Sequence, residues 1–371
     1  MSVAIAVPSA SSQRKPASTS GATPDALLAM LDAADWRIDA IEQALPSLRT
    51  LGGAIRRDAR LHWIGGLRRA YPQLRELPLV VGDDLLALLR TLCDWPLYLA
   101  LCDVFEDEAN TRRYADALLR SGRLDDAFDV CRWRLLAAPH DADIGAMHAH
   151  LQQWRRFIGA RASPIEGDPL RLDPLGHHHR EDFVWQYWDP DIARRCCLPD
   201  FRSDLEWHRW LDACWGYGDQ MLYAVVHREW GFVGSVSLTL HGRLGFFYYW
   251  IGRDFQGHGL GPAAVRLLLE DAFSRHGMTT CYAKVYEDNL ASRKALTRIG
   301  FEALDFRPAP PYGDEMFYRL GESQPRERSV DDLRELFERM HSDTRVAVPC
   351  ASTRAAPNVP SSTNPQWSAV E

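Results

Sequence analysis

The sequence lacks long apolar runs, and no window approaches the roughly 18 consecutive apolar residues of a membrane-spanning helix. It also lacks a basic excess, because 43 Lys and Arg stand against 50 Asp and Glu and leave a formal net charge of −7. Since binding to nucleic acid depends on clustered positive charge, a general nucleic-acid binder is not expected. We predict a protein with no membrane and no nucleic-acid partner.

The eight cysteines lack the spacing of a metal site. None forms a Cys-x-x-Cys pair, and the adjacent Cys196 and Cys197 suit neither a simple disulfide nor a tetrahedral cage. Three adjacent histidines occur at 177–179, but neighbours in a regular strand cannot all face one ion. We therefore expect no metal, and we interpret the cysteines as reduced, buried thiols of a cytoplasmic protein.

Apolar periodicity predicts an all-α domain over residues 25–162, behind a disordered leader at 1–24 that is rich in Ser, Ala, Pro and Thr. After an initial helical run from Pro24, further helical patches lie at 54–71, 84–104, 111–121, 125–137 and 142–158. Residues 111–139 resemble one tetratricopeptide (TPR)-like hairpin, in which small Ala side chains let two helices approach and Gly122 ends the first. A generic helical bundle remains an equal alternative, because a solenoid normally needs about three such units.

Beyond residue 162, strand-like and helical runs alternate, which predicts an α/β domain over 163–322. The predicted strands are Leu170–Leu175, Met221–His227, Phe232–Leu240, Phe246–Ile251, Thr279–Tyr286, Phe301–Leu304 and Met316–Leu320. The predicted helices are 182–197, 203–215, 262–275 and 290–299. A C-terminal amphipathic helix is expected within 323–343. The segment 344–371, dominated by Pro, Ser, Ala and Asn, predicts a disordered tail.

The turn at 256–262, Gln-Gly-His-Gly-Leu-Gly-Pro, leads from a strand into a helix. Backbone N–H groups converge at such a turn and the helix dipole adds to them, so the turn predicts a phosphate site. Counted from Gly257, the sixth position of a dinucleotide fingerprint would need Gly or Ala and is occupied by Pro262. The Gly-Lys-Ser/Thr tripeptide of a nucleoside-triphosphate loop is missing from the sequence. Both of these interpretations are therefore disfavoured.

Two motifs resemble those of the GCN5-related N-acetyltransferase (GNAT) superfamily. Gln256, Gly259 and Gly261 match its Gln/Arg-x-x-Gly-x-Gly/Ala loop, and 289–301 matches its second signature, an Asn after a strand followed by a helix that ends in Gly-Phe. The resemblance covers roughly 168–321 and implies a GNAT fold, with a mixed, mostly antiparallel sheet flanked by helices. It is closest to the branch that acetylates protein N-termini, including ribosomal-protein alanine acetyltransferases, since Ser292 follows Asn289 and Asp189-Pro190-Asp191 heads a comparable segment.

The resemblance implies that acetyl-CoA is the co-substrate and that no metal takes part. The acetyl group would pass to a primary amine of a peptide, protein N-terminus or small molecule by direct attack on the thioester. A backbone N–H from a bulge in the family's fourth strand polarises the carbonyl, and this bulge is expected near Tyr249-Trp250-Ile251. Asn289 would orient the pantetheine arm or cap its helix. The implied cofactor-binding residues are Trp250, Ile251, Gln256, Gly257, His258, Gly259, Leu260, Gly261, Asn289 and Ser292.

The catalytic groups are harder to assign. An ammonium of pKa near 10.4 must lose a proton, which costs about 4 kcal/mol at neutral pH, so a base is expected. Many relatives carry a Glu on the strand before the Asn and a Tyr seven residues after it, but here Lys284 and Leu296 occupy those positions. Ser292 is the candidate for the leaving sulfur. The base stays open among Tyr249, Glu287, Asp288, Tyr286 and His241.

These departures keep a second interpretation open, in which the chain is a catalytically weak CoA-binding protein or a helical-repeat interaction protein. The all-α domain would then recognise the acceptor or bind a protein partner. The run at 177–179 is expected in a loop near the acceptor entrance. The identity of the acceptor amine is not predicted.

Overall fold

The computed structural model describes residues 23–349 and 367–369, except for 52–54, 56–58, 78, 103–110, 197 and 217. The predicted leader and most of the predicted tail lie outside the described residues. Within the described part, no helix is long and apolar enough to cross a membrane.

The first half of the described chain is helical, as the apolar periodicity predicts. Its helices are α1 (Pro24–Ala33), α2 (Ile38–Leu51), α3 (Arg60–Leu74), α4 (Leu79–Thr91), α5 (Trp95–Cys102), α6 (Thr111–Arg120), α7 (Leu124–Ala137) and α8 (Ala142–Arg161). The prediction of a single helix over 84–104 is wrong, because the chain breaks between α4 and α5. The break contains Cys93, whose φ of 53° does not fit an α-helix.

The hairpin predicted over 111–139 consists of α6 and α7, which pack against each other. Ala115 and Ala127 are fully buried, so small side chains allow the helices to approach closely. Gly122 follows α6 with a φ of 74°, and a Cβ at this position would overlap the Asp173 carboxylate. The glycine thus serves both the turn and the contact with the sheet. The kinship to a TPR unit stays a prediction.

The second half carries the sheet. Its elements are β1 (Leu170–Pro174), α9 (Arg180–Tyr187), α10 (Pro190–Cys196), α11 (Asp204–Gly216), β2 (Gln220–His227), β3 (Gly231–His241), β4 (Leu244–Ile251), α12 (Leu260–Arg275), β5 (Thr280–Tyr286), α13 (Leu290–Ile299), β6 (Glu302–Ala303), β7 (Arg307–Pro308), β8 (Glu315–Gly321) and α14 (Arg326–Arg339). The larger sheet has the order β1-β2-β3-β4-β5-β8-β6. Its neighbouring strands are antiparallel except for β4 and β5, which are parallel. The predicted fold class, a mostly antiparallel sheet with flanking helices after a helical region, is confirmed.

The single helix predicted over 182–197 is also wrong, because the chain forms α9 and α10 there. Pro190 begins α10 and has no N–H with which to continue the preceding helix. The Asp189 carboxylate accepts a hydrogen bond from the backbone N–H of Asp191 at 3.0 Å. Asp189 therefore caps α10 and fixes the change of direction.

Helices cover both faces of the sheet unequally. On the first face, α12 packs over β1, β3 and β4 and against α13, and both helices form one apolar core with the sheet. On the second face, α9 and α11 pack near β2 and β3, whereas α14 packs near β5 and β8. Tyr248 of β4 projects between these two groups and is 43% exposed. The second face is therefore open at its centre.

The prediction of disorder from residue 344 is wrong for residues 344–349. β9 (Val346–Pro349) pairs with β7 and with β10 (Trp367–Ala369) in a small second sheet. Val346 and Ala347 are buried, and Val346 joins the apolar core under α14. This apolar pair anchors the segment although the composition around it is polar.

A buried ion pair joins the helical region to the sheet region. The Asp182 carboxylate of α9, only 2% exposed, accepts from the Trp95 indole N–H at 2.9 Å and from the Arg120 guanidinium at 3.2 Å. The Arg120 guanidinium also lies over the Trp95 ring, 4.8 Å from its centroid. Burial raises the pKa of Asp182, and Arg120 opposes that shift. The contact is specific because both charges are satisfied.

The three histidines at 177–179 also lie at this junction, so their predicted place in a loop near the acceptor entrance is wrong. The His178 ring meets Trp154 of α8 edge-on, with 5.1 Å between ring centroids. The His179 Nδ1 accepts from the Gly176 N–H at 3.0 Å, and burial lowers the pKa of His179 to about 3. The run is therefore a neutral, packed element, because imidazole rings tolerate burial when uncharged.

Candidate active site

Two cavities share their lining residues at the end of β4. We call the first the turn cavity: it measures about 620 Å³ and lies at the glycine-rich turn and the first residues of α12 and α13. We call the second the strand cavity: it measures about 360 Å³ and lies over the open centre of the second sheet face. Both cavities are lined by Arg195, Cys196, Tyr249, Trp250, Asn289 and Ser292.

The turn owes its shape to two glycines in left-handed conformations, Gly257 with φ 84° and Gly259 with φ 77°. A Cβ at either position would meet nothing within 4 Å, so conformation and not crowding demands glycine. At Gly261 the reason differs, because a Cβ would lie 2.7 Å from the Tyr249 ring. The helix begins at Leu260, two residues before Pro262, which the sequence places at the first helical position. The turn therefore leaves the N–H groups of the first helical residues facing an open cavity.

Gln256 and His258, both predicted to bind the cofactor, are placed differently from each other. The Gln256 side-chain amide lines the turn cavity and donates to the Ile251 carbonyl at 3.0 Å, which ties the turn to the end of β4. The His258 ring instead meets Trp230 at 5.1 Å, and His258 is not among the residues that line the turn cavity. The structure thus brings the other predicted turn residues to the cavity but not the His258 side chain.

β4 and β5 separate as they approach these cavities. The two strands pair only from Leu244–Thr280 to Phe246–Tyr282, and no later pair joins them within the described sheet. On its other edge β4 stays in register with β3, from His241–Leu244 to Gly234–Ile251, and the Gly252 N–H donates to the Val233 carbonyl. Because alternate residues of a strand bond to opposite neighbours, the N–H groups of Tyr249 and Ile251 face the gap.

The bulge expected near Tyr249-Trp250-Ile251 is absent from the β3–β4 pairing described here, which has constant register through these residues. The register shift lies instead between Val225 and Val226 of β2. Separation of the two parallel strands exposes the backbone N–H groups that a bulge would have exposed. The exposed N–H groups are thus close to the predicted position, but strand separation and not a bulge exposes them.

A short hydrogen-bonded chain connects β4 to α13 where the cavities meet. The Tyr249 hydroxyl donates to Ser292 Oγ at 3.5 Å, and burial raises the pKa of Tyr249. The Asn289 side-chain oxygen, Oδ1, accepts from the Ser292 backbone N–H at 3.1 Å. Asn289 therefore caps α13, which is one of the two roles left open by the sequence. Two hydroxyl groups stand at the junction of the cavities.

The two acidic base candidates after β5, Glu287 and Asp288, form ion pairs with arginines. Glu287 forms a two-point pair with Arg307 at 2.7 and 2.9 Å, which lowers its pKa, and Glu287 lines neither cavity. Asp288 lies beside Arg195 at 3.2 Å. His241 lies at the hairpin between β3 and β4 and pairs with Glu335. Of the candidates, only Tyr249 and Tyr286 line the strand cavity.

The strand cavity contains a carboxylate that the sequence does not reveal. Glu315 of β8 is 5% exposed, and its carboxylate lies 2.7 Å from the Lys284 ammonium of β5. Burial raises the pKa of Glu315, while Lys284 opposes that shift. The Lys284 ammonium also lies over the Tyr312 ring, 4.6 Å from its centroid. Lys284, the residue that departs from the family pattern, thus has an acidic partner on the next strand.

Two basic residues of α13 were also missed. Lys294 and Arg298 are separated by one helical turn and line the turn cavity with the glycine-rich turn. The signal for them is their spacing of four residues on the helix that begins at Asn289. They add positive charge to a cavity that already has a helix N-terminus.

Comparison with known proteins assigns the class of this site. Residues 169–302 match the family model of the acetyltransferase (GNAT) domain. The chain therefore contains a GNAT acetyltransferase domain, preceded by a helical region. No curated protein matches the chain.

Several solved structures are similar to less than half of this chain. An acetyltransferase from Salmonella typhimurium, which modifies the N-terminal serine of ribosomal protein L7/L12, shares 17% identity over 43% of this chain and 100% of its own, with a TM-score of 0.39. A GCN5-related N-acetyltransferase from Brucella melitensis shares 18% identity over 43% and 78%, with a TM-score of 0.38. Spermidine N-acetyltransferase from Vibrio cholerae shares 15% identity over 42% and 96%, with a TM-score of 0.38.

Proposed function

We propose that this protein is an N-acetyltransferase that moves an acetyl group from acetyl-CoA to a primary amine of a peptide, protein N-terminus or small molecule. The observation that carries the proposal is the junction of two cavities at Tyr249 and Ser292, on a domain of the GNAT acetyltransferase class. One cavity is suited to a phosphorylated donor and the other to an acceptor. An acetyl group at the junction would be accessible from both sides.

The turn cavity fits the phosphates of acetyl-CoA. After the left-handed Gly257 and Gly259, the first residues of α12, Leu260 and Gly261, line this cavity with N–H groups that have no partner within the helix. Lys294 and Arg298 supply mobile positive charge on the same cavity. Acetyl-CoA would bring a thioester, which activates the acetyl group toward an amine.

The gap between β4 and β5 supports the transfer itself. The backbone N–H groups of Tyr249 and Ile251 face this gap and would stabilise negative charge on a carbonyl oxygen placed there. Ser292 and Tyr249 carry hydroxyl groups at the junction, so either can supply a proton to a departing sulfur. Trp250 lines both cavities and contributes an apolar wall that limits water at the junction.

The remaining assignments extend this proposal to the whole chain. We propose an all-α domain over 25–162 that positions the acceptor or binds a protein partner, and an acetyltransferase domain over 163–322. The six cysteines described form no disulfide with one another, which suits a reducing, cytoplasmic setting. No metal is required in the proposed reaction.

The proposal is tested by release of CoA from acetyl-CoA in the presence of an amine panel of short peptides, polyamines and amino sugars. We expect amine-dependent release by the full chain, and a drop of about 10- to 100-fold in kcat for Ser292→Ala with the best acceptor. Ser274→Ala is the matched control, because Ser274 bonds only to carbonyls within α12 and lines neither cavity.

Binding of acetyl-CoA without turnover on any amine would contradict the enzyme proposal. Turnover that Ser292→Ala and Ser274→Ala change equally would contradict the role of Ser292 but not the activity. Binding without turnover would instead favour the alternative of a catalytically weak CoA-binding or helical-repeat interaction protein.

A further inference from the structure

We infer that Glu315, held by Lys284, is the group that takes the proton from the acceptor amine in the strand cavity. This inference rests on the proposed function and assigns the base that the sequence leaves open. Glu315 lies beyond the residues matched by the family model, which end at 302. Nothing in the GNAT signature identifies it.

The geometry of the sheet places Glu315 in the cavity. β5 and β8 pair antiparallel, with Tyr286 opposite Glu315 and Lys284 opposite Phe317. Side chains of directly opposed residues lie on the same face, and residues two apart on one strand share that face. Lys284, Tyr286 and Glu315 therefore project together from the second face, and all three line the strand cavity with Ser292 and Asn289.

The environment of Glu315 suits a base that works near neutral pH. Burial opposes ionisation of its carboxyl and raises its pKa. The charged groups that act on it are Lys284, which lowers the pKa, and Asp314, which raises it, while Tyr286 is its neutral neighbour across the strands. A carboxylate whose pKa is raised is a stronger proton acceptor than a surface Glu.

The other carboxylates near the site lack this combination. Glu287 is exposed, is paired twice with Arg307 and has a lowered pKa, so it is a weaker base. Asp288 is 63% exposed and lies beside Arg195. Glu315 is instead buried beside a lysine, a compact charge that offers one ammonium and not a two-point fork.

Lys284 has a positioning role. Its ammonium contacts the Glu315 carboxylate at 2.7 Å and lies 3.5 Å from the Thr344 hydroxyl and over the Tyr312 ring. These contacts hold the Lys284 ammonium between the Glu315 carboxylate and the C-terminal segment that contains Thr344. The segment after α14, which the sequence does not connect with the site, thus helps to fix the carboxylate.

The proposed transfer balances as follows. The acceptor ammonium gives one proton to the Glu315 carboxylate, directly or through a water, and its nitrogen lone pair forms the new bond to the acetyl carbon. The carbon–sulfur bond breaks and its electron pair goes to the sulfur. The nitrogen then loses a second proton, which passes through the Ser292 hydroxyl to the sulfur and gives the thiol of CoA. The proton on Glu315 returns to solvent. The products are the acetylated amine and CoA.

The test compares wild type, Glu315→Gln and Lys284→Met in the full chain, with Glu270→Gln as control because Glu270 lies exposed on α12 and lines neither cavity. With the best amine of the panel, we expect kcat of Glu315→Gln to fall about 10²- to 10⁴-fold and the acid limb of its pH profile to disappear. Lys284→Met should keep that limb but move it to higher pH, because an opposing positive charge is lost. The control should match wild type.

A second readout uses the protein without acetyl-CoA. Proteins labelled with ¹³C at the glutamate carboxyl are titrated by NMR, and the Glu315 signal is assigned by its loss in Glu315→Gln. We expect this signal to titrate above the ordinary Glu range and to move further upward in Lys284→Met. Circular dichroism of each variant checks that it is folded, and Glu315→Asp replaces Glu315→Gln if the latter is not.

The results separate this inference from the proposed function. If wild type transfers acetyl groups while Glu315→Gln, or Glu315→Asp in its place, keeps the wild-type rate and pH profile, the assignment of Glu315 is overturned and the function stands. A Glu315 signal that titrates in the ordinary range also overturns it. If wild type acetylates no amine, the proposed function fails whatever the NMR titration gives.

Discussion

The turn cavity and the strand cavity differ in how the chain builds them. Most residues that line the turn cavity come from two short segments, 256–262 and 288–298, each of which sets its own geometry through a glycine turn or a helix cap. The strand cavity is lined by side chains from β2, β3, β4, β5 and β8 and from the helices α9, α10, α11 and α13, and only the tertiary structure brings them together. The proposed donor site is therefore encoded mostly by local sequence, whereas the proposed acceptor site depends on long-range contacts.

The largest expected effect on this difference between the cavities comes from Gly259→Ala in the turn cavity. An alanine at a φ of 77° costs about 1–2 kcal/mol, and the strain will distort the turn. We expect acetyl-CoA to bind about 10-fold more weakly or worse, measured by calorimetry. Gly277→Ala is the matched control, since Gly277 has a φ of 68° and open space around it but lines neither cavity. Equal affinity in both variants would contradict the assignment of the turn.

A smaller effect is expected from the charges of α13. Lys294→Gln and Arg298→Gln each remove one exposed positive charge from the turn cavity. We expect about 3- to 10-fold weaker binding of acetyl-CoA at low salt, with less difference at high salt, because exposed charges are screened. Arg243→Gln at the exposed β3–β4 hairpin should change nothing. Salt-independent losses would argue against a phosphate contact.

A separate effect, on stability and not on binding, is expected at the junction of the two regions, away from both cavities. The pKa of His179 is about 3 in the folded protein and about 6.5 when unfolded. The unfolded chain therefore binds a proton that the folded chain excludes, so this stability is complete above about pH 6.5 and is lost as pH falls toward 3. We expect the free energy of unfolding to decrease by up to about 1.4 kcal/mol per pH unit from this group.

Urea unfolding between about pH 5 and 7 measures this decrease, with His179→Asn as the comparison. An asparagine oxygen can replace the Nδ1 acceptor of the Gly176 N–H but does not titrate. His178, whose pKa is also lowered, acts in the same direction, and Asp182, whose pKa is raised, acts in the opposite one. The variant should therefore flatten the pH dependence in part. An unchanged slope would contradict the neutral, buried state of His179.

The fold class and the turn cavity could be predicted from sequence because their determinants are local. Gly257, Gly259 and Asn289 act through backbone conformations that need no knowledge of distant residues. Element boundaries were predicted less well, since the helix breaks at Cys93 and Asp189 depend on a positive φ and on a side-chain cap. The order of elements is still predicted correctly, because the apolar periodicity on both sides of each helix break indicates a helix.

The strand cavity could not be predicted because its key contact joins two strands across a long connection. Lys284 stands out in the sequence only as a departure from the GNAT pattern, and Glu315 resembles an ordinary strand-end residue. Of only three lysines in the chain, Lys284 lines the strand cavity and Lys294 lines the turn cavity.

The most direct test of the central claim is transfer of isotopically labelled acetyl groups from acetyl-CoA to the amine panel by the full chain. The account predicts labelled amide product with wild type, a strong decrease with Ser292→Ala and normal product with Ser274→Ala. It would be contradicted if wild type binds acetyl-CoA and yet no label leaves acetyl-CoA for any amine.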